Sequence, residues 1–116
     1  MFCLPNGAYL QYFVLESQYI DMYLDLGYKI VLWNYRGYGQ STGEPALHRS
    51  LSDANTVFLY CKNQLSLDVE VLHGYSIGGP PAISLALNYP EQIKVIVTDR
   101  TFCDIAKVES VDILDR

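Results

Sequence analysis

Short apolar runs alternate along this chain with longer segments in which apolar residues recur at helical spacing. Four of the runs are predicted as β-strands, at residues 1–4, 28–33, 68–73 and 93–98, because they are short, apolar and mostly bounded by turn residues. Strands with continuous rather than alternating apolar residues are typical of a parallel sheet that is buried on both faces. The pattern therefore favours a parallel sheet that is covered by helices.

Three helices are predicted between these strands, and a further short one is predicted after the fourth strand. The first spans residues 9–26 and ends before Gly27, the second begins at a capping box formed by Ser50 and Asp53, and the third spans residues 77–88. The order β-α-β-α-β-α-β requires right-handed crossovers with helices on both faces of the sheet. We predict an α/β fold with three αβα layers and a mostly parallel sheet.

Composition and charge narrow the functional classes. The chain has 116 residues, 50% of them apolar, and a formal net charge of -5. An acidic chain lacks the basic face that nucleic-acid binding requires, and its charge also argues against electrostatic binding to anionic lipid. The apolar fraction excludes intrinsic disorder. The three cysteines, Cys3, Cys61 and Cys103, have no metal or redox spacing, so we interpret them as buried apolar residues in a reducing compartment.

The apolar runs are also informative about the compartment. None approaches the ~18 residues that a membrane-spanning helix requires, and the first residues lack the basic and long apolar regions of a secretory signal. We therefore expect a soluble, cytoplasmic protein.

One motif carries recognisable chemistry. Residues 74–78 read Gly-Tyr-Ser-Ile-Gly, a G-x-S-x-G pattern between the third strand and the third helix. This is the context of a nucleophile elbow, a sharp strand-to-helix turn that lifts a serine hydroxyl above the sheet. The helix N-terminus adds free amides, so we predict that Ser76 is a nucleophile and that the N–H of Ile77 donates to an oxyanion. We predict the second oxyanion donor at Gly7, in the loop after the first strand.

Two alternatives compete with this interpretation. A G-x-S-x-G pentapeptide also occurs by chance as a turn of small residues without chemistry. A flavodoxin-like receiver or nucleotide-binding protein would share the strand order, but it requires an acidic cluster or a phosphate loop after the first strand, and residues 5–7, Pro-Asn-Gly, supply neither. The glycine-rich segment at residues 37–43 has one residue too many for a dinucleotide-binding G-x-G-x-x-G motif. We expect Arg36, just before it, to pair with a nearby carboxylate and to hold the loop in place.

The chain resembles the α/β-hydrolase-fold serine hydrolases over nearly its whole length. The resemblance rests on the Gly7 loop, on the elbow at 74–79, and on residues 34–43, which are similar to the family's D-x-R-G-x-G-x-S loop. Asn34 stands where the family usually has aspartate. Within the family, an elbow that reads G-x-S-I-G with proline shortly after is most similar to eukaryotic membrane-associated lipid hydrolases and protein depalmitoylases.

This resemblance implies a fold and a chemistry. The chain would hold strands three to six of the family fold, in the spatial order second, first, third and fourth strand of this sequence. The substrate would be a small molecule or an acyl compound, a lipid or a thioester, hydrolysed without a metal or an organic cofactor, with peripheral membrane association in an intact relative. Gly7 and Ser76 would then lie outside the carboxyl ends of the strands at a topological switch point, where open α/β sheets bind ligands.

The acid and the base of a catalytic triad are harder to find. The family order is serine, acid, histidine, but no histidine follows Ser76, and both histidines, His48 and His73, precede it. We expect His73 to be packed in the third strand and His48 to be a surface residue. Asp99, at the end of the fourth strand, is a candidate acid and Asp104 a second one, although the resemblance suggests a structural role for Asp99.

Chain length also indicates that part of a hydrolase fold is missing from this sequence. A βαβ unit takes about 30 residues, so an eight-stranded hydrolase requires on the order of 200. We therefore expect residues 1–116 to be a single partial hydrolase domain, truncated at both ends. Two functions remain open: a serine hydrolase for esters or thioesters, and a catalytically incomplete fragment or pseudo-hydrolase that lacks the triad acid and histidine.

Overall fold

In the part of the chain that the structure describes, three parallel strands and four α-helices form the architecture. The computed structural model describes residues 1–7 and 10–102, so the predicted terminal helix, Cys103 and the candidate acid Asp104 lie outside the described residues. Two short 3₁₀ turns, Leu47–Arg49 and Ser76–Gly78, precede the third and fourth α-helices. The elements in chain order are β1 (Phe2–Cys3), α1 (Leu10–Glu16), α2 (Gln18–Asp25), α3 (Ser50–Asn63), β2 (Val71–Tyr75), α4 (Gly79–Asn88) and β3 (Val95–Asp99).

The sheet has the order β1-β2-β3, and both pairs of neighbours are parallel. Phe2 is paired with His73, and β2 and β3 are paired along their full length, up to Tyr75 opposite Asp99. The third and fourth predicted strands thus exist, each shifted toward the C-terminus by two residues or more at its start. Because the strands are parallel, their carboxyl ends meet at one edge of the sheet, where Ser76 follows β2.

The prediction of a strand at residues 28–33 is wrong. The segment forms only an isolated parallel bridge, in which Leu32 pairs with Phe2 and the Phe2 N–H donates to the Val31 carbonyl at 3.0 Å. A strand needs a neighbour of matching length, and β1 offers two residues. The bridge nevertheless lies on the side of β1 away from β2, so the four segments follow the predicted spatial order.

Helices cover both faces of the sheet. On β2, His73 faces α2, whose Tyr23 hydroxyl lies 2.7 Å from His73 Nδ1. Its neighbour Gly74 points to the opposite face, where the backbone of Gly78 and Gly79 packs against it. Since successive strand residues alternate between faces, α2 and the start of α4 lie on opposite sides of the sheet. The chain therefore has the predicted three-layer α/β fold.

The predicted helix at residues 9–26 is two helices that break at Ser17. The backbone of Ser17 is extended, and its hydroxyl accepts the N–H of Tyr19 at 3.2 Å, which caps the start of α2. A serine side chain competes in this way with the helical hydrogen bond, and apolar spacing alone does not reveal the break. The predicted end is confirmed, since Gly27 follows the C-cap Leu26 with φ of +85°.

The capping box at Ser50 is also wrong, although the helix that it was predicted to start is present. A 3₁₀ turn leads directly into α3, so Ser50 is already helical and its hydroxyl donates to the Leu47 carbonyl at 2.7 Å. The carboxylate of Asp53 instead accepts two hydrogen bonds from the guanidinium of Arg36, with Nε–H donating at 2.7 Å. This ion pair ties the glycine-rich loop to α3.

The core lies between the sheet and the helices on each side. Cys3 and Cys61 are buried and free, as expected, and burial raises the pKa of the Cys3 thiol to about 12. None of the helices in the described part of the chain combines the length and the apolarity that crossing a membrane requires. The most deeply buried large side chains are Phe2, Phe58, Leu4, Leu72 and Leu85.

Candidate active site

Ser76 occupies a sharp turn between β2 and α4. Its φ is +52°, in the left-handed region, while Tyr75 before it is extended and Gly78 after it is helical. For a residue with a side chain this conformation is unfavourable by about 1–2 kcal/mol. Non-glycine residues keep such a conformation where the surrounding structure imposes it, commonly at functional sites. The half-buried Ser76 therefore has the backbone geometry of a nucleophile elbow.

The glycines around Ser76 are required by close approach rather than by unusual dihedral angles. A Cβ on Gly74 would lie 2.5 Å from the Gly78 carbonyl oxygen, and one on Gly78 would overlap the carbonyl of Cys3. Neither glycine has a positive φ. The strained residue of the turn is thus the serine itself, and its flanking glycines let the turn pack directly onto β1 and β2.

The loop after β1 starts beside the elbow, because Gly78 packs on Cys3, the last residue of that strand. Gly7, the predicted second oxyanion donor, lies in an exposed turn of this loop with φ of +71°. Two tyrosines of the segment at residues 34–43 hold the loop after β1. Tyr35 donates its hydroxyl to the Leu4 carbonyl at 3.0 Å, and Tyr38 donates to Asn6 Oδ1 at 3.1 Å.

Asn34, at the position of the family's aspartate, caps the N-terminus of α1 although it lies in a different segment of the chain. Its Oδ1 accepts the N–H of Leu10, the first residue of that helix, at 2.8 Å. A neutral amide oxygen is sufficient for this bond, because the first amides of a helix need only an acceptor. The Asn34 side chain therefore links the segment at residues 34–43 to α1.

Ile77, whose N–H is the predicted first oxyanion donor, directly follows Ser76 and is the middle residue of the 3₁₀ turn Ser76–Gly78. Its side chain is buried, which fixes the residue against the core. Amides in the first turn of a helix have no partner within the helix, and they carry the positive end of its dipole. The position is therefore chemically suited to binding a negative oxygen next to the serine.

Asp99, the candidate acid, is the last residue of β3 and lies opposite Tyr75. Both carboxylate oxygens are engaged. The Tyr19 hydroxyl donates to one of them, and the guanidinium of Arg100 donates to both, at 2.9 and 3.1 Å. The Arg100 and Tyr19 hydrogen bonds lower the pKa of Asp99 to about 2, so this carboxylate is ionised at neutral pH and is bound to neighbours other than a histidine.

The two histidines lie where the sequence predicts. His73 is 3% exposed, stacks on the Phe2 ring at 4.2 Å between centroids, and shares a hydrogen bond with the Tyr23 hydroxyl. Burial lowers its pKa, so it is neutral and packed. His48 is exposed on the 3₁₀ turn before α3.

Thr101 is the residue that sequence reasoning missed at this site. Its hydroxyl donates to the carbonyl oxygen of Ser76 at 2.6 Å, and its side chain occupies the space where a Cβ of Gly79 would lie. No spacing rule connects residues 76 and 101. The nearest signal in the sequence is its position two residues after Asp99, at the sheet edge where the elbow lies.

No group of three or more histidine, cysteine or carboxylate side chains that could hold a metal occurs among the described residues.

A cavity of about 340 Å³ opens at the opposite edge of the sheet, at the amino ends of the strands. It is lined by Tyr23, Ile30, Val69 and Val71, among others, and not by Ser76. This cavity is therefore separate from the elbow.

Known proteins match this chain along most of its length. A family model described as alpha/beta hydrolase fold matches residues 3–115. The uncharacterized membrane protein YNL320W of Saccharomyces cerevisiae is 32% identical over 107 residues, which are 90% of this chain and 37% of the yeast protein. Phosphatidylserine lipase ABHD16A of Bos taurus is 31% identical over 84 residues, which are 71% of this chain and 15% of the lipase.

A third relative, protein bem46 of Schizosaccharomyces pombe, is 33% identical over 85 residues, which are 72% of this chain and 28% of that protein. The chain thus spans between 15% and 37% of the length of these three relatives. No solved structure matches it.

Proposed function

The chain belongs to the α/β-hydrolase family, and on that premise we propose that it carries the nucleophile of a serine hydrolase for esters or thioesters. The observation that supports this most is the left-handed backbone of Ser76 at the junction of β2 and α4. That conformation is costly, and the family places its nucleophile at this junction. The match to the family model shows that the chain belongs to a hydrolase family, and we propose the serine as its nucleophile.

The proposed reaction is acyl transfer in two steps. The Ser76 oxygen attacks the acyl carbon, its proton passes to a base, and the carbonyl oxygen becomes an oxyanion that the amides of Ile77 and Gly7 stabilise. Collapse of this intermediate breaks the bond to the alcohol or thiol, which leaves with a proton. Water then attacks the acyl-enzyme by the same route and releases the acid.

The base and the acid of this reaction are proposed to come from outside this sequence. His73 is buried and bonded to Tyr23, and Asp99 is bonded to Tyr19 and Arg100, so neither matches the role of a base beside the serine. In this proposal residues 1–116 form a single partial hydrolase domain, and a longer protein supplies a histidine after Arg116.

The alternative function is a catalytically incomplete fragment or pseudo-hydrolase. One observation favours it: within the described residues, His73 is bonded to Tyr23 and Asp99 is bonded to Tyr19 and Arg100. A chain with the elbow and the oxyanion amides alone keeps only residual catalysis, because a triad without its base loses most of its rate. The two functions make different predictions for the chemistry of the serine hydroxyl, and this difference can be tested.

The proposed substrate class is an acyl lipid or a thioester at a membrane surface. The lipid and the membrane surface rest on the names of two relatives, a phosphatidylserine lipase and a membrane protein. The thioester rests on the resemblance to protein depalmitoylases. We propose a cytoplasmic location with peripheral membrane association.

The test is covalent labelling of the full chain by a fluorophosphonate, with imidazole added as an external base. The Ser76 oxygen displaces fluoride from phosphorus, and imidazole takes the hydroxyl proton. We expect a single adduct at Ser76 in peptide mass spectrometry, formed at a rate that rises with imidazole concentration. Ser76→Ala should abolish the adduct. Ser84→Ala is the matched control, because Ser84 lies in α4 away from the turn, and it should label like the wild type.

Absence of the Ser76 adduct from the folded chain at every imidazole concentration would contradict the proposed hydrolase and favour the pseudo-hydrolase. Equal labelling of the Ser76→Ala variant would show that the reactive group is elsewhere.

A further inference from the structure

We propose that Thr101 is a positioning residue for Ser76, held over the elbow by Asp99 and Arg100. This inference rests on the proposed function, because it states how the nucleophile is kept in its reactive conformation. It begins from the hydrogen bond of 2.6 Å that the Thr101 hydroxyl donates to the Ser76 carbonyl oxygen. It also gives Asp99 a role other than that of the triad acid.

The strand register brings the two turns together. Tyr75 and Asp99 are the last paired residues of β2 and β3, so Ser76 and Arg100 follow at the same edge of the sheet. Both have left-handed backbones, with φ of +52° at Ser76 and +47° at Arg100. Neither is a glycine, and each conformation is unfavourable by itself. Two adjacent strands therefore end in strained turns that lie beside each other.

The side chain of Arg100 holds the second turn. Its guanidinium forms a two-bond ion pair with the Asp99 carboxylate and lies over the Tyr75 ring at 4.5 Å from the centroid. The Tyr19 hydroxyl of α2 donates to the same carboxylate. These contacts link Arg100 to both strands and to a helix, and the left-handed turn at Arg100 then directs the chain so that Thr101 reaches the elbow.

Thr101 acts on the first turn in two ways. Its hydroxyl holds the Ser76 carbonyl, which also accepts the N–H of Gly79. Its side chain packs against Gly79, where even a methyl group would overlap it. The peptide between Ser76 and Ile77 is therefore fixed in orientation. Because that peptide carries both the serine carbonyl and the predicted oxyanion amide, its orientation decides whether the Ile77 N–H faces the reacting oxygen.

Thr101→Val and Thr101→Ser separate the hydroxyl from the volume of the side chain. Valine keeps the shape and removes the donor, whereas serine keeps the donor. Under the fluorophosphonate and imidazole conditions above, we expect Thr101→Val to label Ser76 about tenfold more slowly, since a lost hydrogen bond of about 1.4 kcal/mol corresponds to a factor of ten. Thr101→Ser should label within about twofold of the wild type.

A second readout does not depend on reactivity. The three-bond coupling between the amide and Cα protons of Ser76 reports φ, and the carbonyl carbon shift of Ser76 reports its hydrogen bonds. We expect both to change in Thr101→Val and to be preserved in Thr101→Ser. Unfolding in urea is measured in parallel, and labelling is compared only where each variant is folded. Arg100→Gln removes the ion pair that holds the second turn but keeps the Thr101 hydroxyl, and it should shift the coupling in the same direction.

Failure of this inference is distinct from failure of the proposed function. If wild type labels at Ser76 and Thr101→Val matches it in rate and coupling, the positioning role is wrong and the hydrolase proposal stands. If wild type does not label but the coupling changes in Thr101→Val, the turn is held as proposed while the serine is not a nucleophile. A variant that loses stability but keeps rate and coupling would assign Thr101 a purely structural role.

Discussion

At the level of single residues, glycine serves two different purposes in this chain. Gly78 has an ordinary backbone conformation, but a side chain there would overlap the Cys3 carbonyl. A methyl group on Gly27 would meet nothing within 4 Å, but the φ of this residue is +85°. The first glycine permits close packing of the elbow on β1, and the second permits the turn that ends α2.

Replacing each glycine by alanine should separate these two effects. We expect Gly78→Ala to lower the free energy of unfolding by about 3 kcal/mol, because backbone must move to make room. Gly27→Ala should lower it by about 1 kcal/mol, since a residue with a side chain is less stable in a left-handed conformation. Urea unfolding measures both. Equal losses in the two variants would show that close approach at Gly78 is not the limiting factor.

The buried His73 predicts a dependence of stability on pH. Burial lowers its pKa in the folded state below the ordinary value of 6.5, so near that pH the unfolded chain binds more protons than the folded chain. Stability should therefore fall as the pH is lowered through about 6.5. We expect His73→Phe to reduce the slope of unfolding free energy against pH between about pH 7.5 and pH 5.5.

The matched control is His48→Gln, because His48 is exposed. It should keep the wild-type slope in urea unfolding measured at each pH. A His73→Phe variant with an undiminished slope would mean that other groups cause the pH dependence.

At the level of elements, the break between α1 and α2 depends on one serine. The Ser17 hydroxyl caps α2 by accepting the Tyr19 N–H. Ser17→Ala should lower the free energy of unfolding by about 1 kcal/mol, whereas Ser17→Asp, which retains an acceptor, should stay close to wild type. Urea unfolding of the three proteins is the measurement, and an unchanged midpoint for Ser17→Ala would show that the cap contributes nothing.

Sequence patterns predicted the elements that depend on local signals. The strand, glycines and helix around Ser76 predicted the turn, and Gly27 marked the end of α2, because dihedral preferences and helix periodicity are encoded within a few residues. The segment at 28–33 has the composition of a strand, but pairing depends on its neighbour β1, which is two residues long. The amino-acid composition of a segment gives no information about the length of the strand with which it pairs.

Contacts between residues that are far apart in the sequence could not be predicted, because sequence patterns describe only neighbouring residues. Asp53 has the spacing of a capping box, yet its carboxylate is taken by Arg36, seventeen positions earlier. Thr101 carries no motif, and its role follows only from the register that sets Tyr75 opposite Asp99. The prediction that Arg36 pairs with a nearby carboxylate was confirmed because an arginine in a half-buried loop requires a partner, but the identity of that partner came from the fold.

At the level of the whole molecule, β3 is an outer strand of the sheet that the described residues form, and it is incompletely covered. Val95 and Ile96 are 48% and 40% exposed, and β3 has a neighbour on one side within the described residues. An exposed apolar edge strand promotes association between chains. We expect the wild-type chain to associate as its concentration rises and Ile96→Lys to shift it toward monomer in sedimentation velocity.

Thr98→Lys is the control for that experiment. Thr98 lies two residues along the same strand, so it is on the same face as Ile96, and it is already polar and exposed. The substitution adds the same charge without removing an apolar side chain, and association should remain close to wild type. Equal effects of the two lysines would attribute the change to charge and not to the apolar edge.

The central claim is that the Ser76 hydroxyl reacts beside amides that can hold an oxyanion. The most direct measurement is a crystal structure of the chain after reaction with the fluorophosphonate. We predict phosphorus bonded to Ser76 Oγ, with a phosphonyl oxygen about 2.7–3.1 Å from the amide nitrogens of Ile77 and Gly7. A phosphonyl oxygen that faces solvent, or an adduct on another residue, would contradict the claim.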